Sequence, residues 1–97
     1  MAASGAPVGD GTRCRRAEKV AWRDIAGEVL VIHPGRGTMY PLNPVASRIW
    51  SLLDGTRDAS AIADEIRRAF EVDAERARRD VLAFLGELAG EGLVERV

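Results

Sequence analysis

The apolar pattern changes its period at Asn43-Pro44, and this change constrains the fold more than any other feature of the chain. Before it, apolar side chains alternate in short runs. After it, they recur every three or four residues. Strands followed by helices in a chain of 97 residues imply one α+β domain, with the helices packed on one face of a sheet.

Three strand candidates precede the change. Residues 19–25 hold Val20 and Trp22 in alternation. Residues 28–33 (EVLVIH) are apolar and β-branched, and lie between Gly27 and Pro34-Gly35. Residues 37–42 (GTMYPL) follow a Pro-Gly-Arg-Gly turn. Short glycine-bearing connections predict a three-stranded antiparallel meander. In the third strand Thr38, Tyr40 and Leu42 share one face, and Met39 and Pro41 the other. Pro41 has no N–H to give to a ladder, which places this strand at a sheet edge.

Helix signals follow in order. Asn43 caps a first helix, with Pro44 at its first position, and Val45, Ile49, Leu52 and Leu53 line one face. Asp54-Gly55 ends it. Asp58 caps a second helix that runs to Phe70 and buries Ala59, Ile62, Ala63, Ile66 and Phe70. Asp73 caps a third, with Glu75 suited to the dipole of its first turn. Its main stripe is Ala77, Val81, Phe84, Leu85 and Leu88, flanked by Leu82 and Ala89. Gly92 stops it, and residues 93–97 form a short terminal strand. Residues 1–16 read as a flexible N-terminal segment: 1–12 are Gly-rich and aperiodic, and a cluster of Arg13, Arg15 and Arg16 follows.

Little in the chain suggests chemistry. His33 is the one histidine and Cys14 the one cysteine, too few for a four-ligand zinc site. His33, at the end of an apolar strand, reads as structural. Cys14 has no neighbour in sequence to activate it. Gly35 and Gly37 serve a hairpin and do not precede a helix, so they make no phosphate loop. No cofactor or metal is expected, and the chain reads as non-catalytic. With no apolar run long enough to span a bilayer, no secretory signal and no pair of cysteines, a cytoplasmic location is expected.

Charge bears on nucleic acid. Three helices with short turns have the outline of a winged helix, whose third helix would bring Arg76, Arg78 and Arg79 to DNA. Glu75, Asp80, Glu87 and Glu91 share that helix, and residues 44–97 carry eleven acidic against eight basic side chains. A DNA-binding regulator is therefore the alternative, and no nucleic-acid partner is expected. An exposed edge strand beside an apolar helix side instead suits an added peptide strand. The same edge also permits a homodimer.

One set of residues is similar to a known family. Tyr40-Pro41-Leu42-Asn43-Pro44-Val45-Ala46, then Ile49-Trp50, Leu52-Leu53-Asp54-Gly55 and Ile62, then Asp80-Val81-Leu82-Ala83-Phe84-Leu85 and Gly92-Leu93-Val94, together resemble the PqqD family over residues 17–97. That family comprises small peptide chaperones of coenzyme PQQ biosynthesis and related recognition elements for ribosomally made, post-translationally modified peptides. The resemblance implies a three-stranded sheet on a winged-helix-like three-helix bundle. It also implies a leader peptide that adds beside the third strand and lies against the third helix. Carried onto this chain, the pairing strand is Thr38, Met39, Tyr40 and Leu42. The groove side of the helix is drawn from Arg78, Val81, Leu82 and Leu85, with Val81 and Leu85 either groove or core. Trp50 and Leu53 are read as core. The implied partners are the precursor peptide and a modifying enzyme, often a radical S-adenosylmethionine protein; other relatives serve a peptidase or a cyclase.

Overall fold

The computed structural model describes residues 8–97. The expected meander is present. Strands β2 (Ala21–Ile25), β3 (Glu28–Ile32) and β4 (Met39–Pro41) form an antiparallel sheet in the order β2-β3-β4. Val29 and Val31 of β3 are buried, while Leu30 and Ile32 on the opposite face are only partly covered, so one face of the sheet packs on the core. β4 is an edge, as Pro41 requires.

A second sheet was not legible in the periodicity. It has the order β5-β1-β6, with β1 at Arg13–Arg16, β5 at Asp54–Asp58 and β6 at Val94–Arg96. Residues 13–16, expected in a flexible segment, are therefore its central strand; residues 1–7 of that segment lie outside the described residues. The physical reason is tertiary pairing. β1 hydrogen-bonds to strands on both sides, and its single inward side chain, Cys14, is 1% exposed. Burial pushes the Cys14 thiol up from its ordinary value, which leaves it a small apolar filler. β5 occupies the place where Asp54-Gly55 was expected only to stop a helix. Gly55 makes this possible: its φ is +87°, and a Cβ there would meet Val97 Cγ2 at 3.2 Å.

The helices begin where their caps predict. α1 (Pro44–Ser51), α2 (Ala59–Phe70) and α3 (Ala74–Gly90) are capped by Asn43, Asp58 and Asp73, whose side chains accept from the N–H groups of Ala46, Ala61 and Arg76 at 2.8, 2.9 and 2.9 Å. α2 packs on α3, with Ile62 and Ile66 against the stripe Ala77, Val81, Leu85 and Leu88. Trp50 and Leu53, fully buried, join the helices to the sheet. Arg16 closes the end of α1 by donating to the carbonyls of Trp50 (2.8 Å) and Ser51 (3.2 Å), and its guanidinium lies over the Trp22 ring.

Candidate functional site

The site is built from β4 outward. Tyr40 stands opposite Val31, Met39 opposite Ile32 and Pro41 opposite Leu30. His33 N–H donates to the Thr38 carbonyl and Leu42 N–H to the Val29 carbonyl, each at 2.8 Å. Alternation then directs the main-chain groups of residues 38, 40 and 42 toward β3, and those of Met39 and Pro41 toward the open edge. Within β4 the edge thus offers the Met39 N–H, the Met39 carbonyl and the Pro41 carbonyl.

Two side chains hold this edge in place. Ser47 of α1, 3% exposed, accepts from Val29 N–H at 2.8 Å and donates to the Leu42 carbonyl at 3.2 Å. Its hydroxyl sits between two groups that would otherwise bond directly, and so fastens the end of the β3–β4 ladder to α1. At the other end, His33 Nδ1 accepts from the N–H groups of Gly35 (3.1 Å) and Arg36 (3.3 Å). Its Nε2 then carries the proton and donates to the Glu91 carbonyl at 3.0 Å. The Glu91 carboxylate also takes Arg36 Nη1 at 3.1 Å and the Tyr40 hydroxyl at 3.5 Å. His33 is structural, as expected: it ties the hairpin turn to the end of α3.

Between β4 and α3 lies a groove of about 470 Å³, within the usual range for ligand sites. Tyr40 and Leu42 form one wall, Phe84, Glu87, Gly90 and Glu91 the other, and the buried Val31, Leu88 and Leu93 the floor. A shallower depression continues past Asn43, Val45 and Ala46, facing Arg76, Asp80 and Ala83. At about 100° per residue, Asp80, Phe84, Glu87 and Glu91 fall on one flank of the α3 core stripe.

Of the expected strand residues Tyr40 and Leu42 line the groove, and Met39, 61% exposed, projects from the outer face of the sheet. The expected residues of α3 are not on the groove. Val81 and Leu85 are 0% exposed and belong to the core. Leu82 is half-buried and packs on that core. Arg78 turns the other way and donates from Nε to Asp10 at 2.9 Å, a bond that pushes its guanidinium pKa up. Arg78 and Leu82 occupy the flank opposite Phe84, on the side of the N-terminal segment. Phe84, Glu87 and Glu91 line the groove and were not among the expected residues. Their signal was the spacing 80, 84, 87, 91, which places three carboxylates and an aromatic ring on one flank.

That flank carries Asp80, Glu87 and Glu91 against Arg76, and Arg76 is itself 3.7 Å from Asp80. It would repel a phosphate backbone. Among the described residues no group of three or more His, Cys, Asp or Glu side chains is placed to hold a metal ion, and no helix is long and apolar enough to cross a membrane.

Comparison with known proteins identifies the family and the fold. The family model described as coenzyme PQQ synthesis protein D (PqqD) matches residues 28–94. The chain belongs to the PqqD family. Three solved structures share the PqqD-like fold. TbiB1, in complex with the TbiA(beta) leader peptide, is 36% identical with a TM-score of 0.75, over 84% of this chain and 94% of that one. A lasso peptide synthetase B1, complexed with its leader peptide, is 19% identical with a TM-score of 0.74, over 86% and 98%. The PqqD part of Methylobacterium extorquens PqqCD, a stand-alone recognition element for ribosomally synthesised and modified peptides, is 24% identical with a TM-score of 0.74, over 96% and 98%. None of the curated proteins compared with the chain matches it significantly.

Proposed function

We propose that this PqqD-family chain is a peptide chaperone. It binds the leader of a ribosomally made precursor by strand addition along β4 and presents the precursor to a modifying enzyme. The observation that carries this reading is the open β4 edge beside an apolar-floored groove. Main-chain bonds at the edge supply affinity, and alternate side chains of the ligand enter the groove. The complexes of TbiB1 and of the synthetase B1 with leader peptides support it. Catalysis belongs to the partner. Its class is an enzyme acting on the precursor: a radical S-adenosylmethionine protein, a peptidase or a cyclase. The acidic flank of α3 favours no DNA-binding role.

Calorimetric titration with the TbiA(beta) leader peptide tests the proposal. A dissociation constant of about 10 μM or tighter is expected, near −7 kcal/mol or below. Duplex DNA at physiological salt should give no binding heat. Absence of peptide binding, with DNA affinity that falls steeply as salt rises, would reverse the assignment.

A further inference from the structure

Pro41 removes a donor from the edge that borders the groove. An ordinary strand edge presents a donor and an acceptor at every second residue. Here Met39 presents both, while Pro41 presents its carbonyl alone. A ligand strand can therefore satisfy β4 with two N–H groups on alternate residues and one carbonyl. This count is the same whether the ligand runs parallel or antiparallel to β4.

We infer that Pro41 is a residue that sets the affinity of the edge for an added strand, because it withholds the one donor that a ligand carbonyl would otherwise meet. The inference rests on strand addition at β4. The two ligand residues whose N–H groups meet the carbonyls of Met39 and Pro41 must not be proline. The residue between them turns its N–H away and accepts proline freely. One ligand carbonyl faces the Pro41 ring and gains nothing, so affinity is held below what a full ladder would give. The same missing donor weakens pairing of β4 with a second copy of the chain.

The test has two parts, both using the TbiA(beta) leader peptide. First, the peptide is N-methylated one residue at a time. Two positions separated by one residue should each lose about tenfold or more in affinity, and the residue between them should lose little. Second, Pro41→Ala restores the donor. It should tighten binding about fivefold, one hydrogen bond's worth. Thermal stability should stay level or fall, because alanine frees the unfolded chain. Affinity and stability moving in opposite directions separates a new bond from a general effect on the fold. Unchanged or weaker affinity in Pro41→Ala, with the two sensitive N-methyl positions present, overturns the role of Pro41 and leaves the peptide reading standing, whereas binding with a flat N-methyl profile overturns strand addition at β4 and the role of Pro41 with it. No binding by the wild-type chain overturns the peptide reading itself.

Discussion

Replacing Phe84 with alanine is expected to weaken leader binding by about 30-fold, the effect of losing an aromatic anchor worth about 2 kcal/mol. Phe84 lines both the main groove and its shallower extension, so it lies at the centre of any peptide running along α3. It is half-buried and its ring touches the core, so some stability is lost too, on the order of 1–2 kcal/mol. Far-UV circular dichroism and a thermal melt separate the two losses. Arg78→Ala is the control on the opposite flank. Arg78 bonds to Asp10 at an exposed site, and its removal should leave affinity within about twofold. Equal losses in the two variants would show that the groove has been assigned to the wrong flank. Leu82 is a poorer control, because a charge there strikes the core it packs on.

The second large effect is on stability. Ser47→Ala removes a buried hydroxyl that serves a donor and an acceptor at once. Val29 N–H and the Leu42 carbonyl then lose their partner, and water has poor access to the former because Val29 is 2% exposed. Unsatisfied buried groups of this kind cost about 2–3 kcal/mol together. In a domain of this size that lowers Tm by roughly 10 °C. Because the bridge fastens the end of β4, amide exchange at Leu42 should rise more than the global loss explains. A fall in Tm of less than about 2 °C would mean that Val29 and Leu42 bond directly once the hydroxyl is gone.

What could be read from the sequence, and what could not, divides by the range of the interactions. Helix starts were legible because Asn43, Asp58 and Asp73 act on N–H groups three residues away. The meander was legible because its alternation and its turns are local. Pro41 named the edge because a missing N–H is a property of the residue. β1 and β5 were not legible: RCRR and DGTRD carry almost no apolar alternation, and their pairing partners lie up to about 80 positions away in sequence. The site divides in the same way. Tyr40 and Leu42 followed from strand parity. The flank of α3 did not, since Leu82 on one side and Phe84 on the other both widen an apolar stripe. Only the position of β4 relative to the helix decides which flank forms the groove wall, and no local pattern carries that.

The most direct test of the account is hydrogen exchange at the Met39 amide, followed by NMR with and without saturating TbiA(beta) leader peptide. In the free protein this N–H points away from β3, with no strand beyond it among the described residues, and should exchange freely. Strand addition gives it an acceptor. The account predicts that Met39 exchange slows by at least about tenfold on binding, with chemical-shift changes at Tyr40, Leu42, Phe84 and Glu87. Unchanged exchange at Met39 in a peptide-saturated sample, or shifts gathered around Arg78 and Leu82, would contradict it.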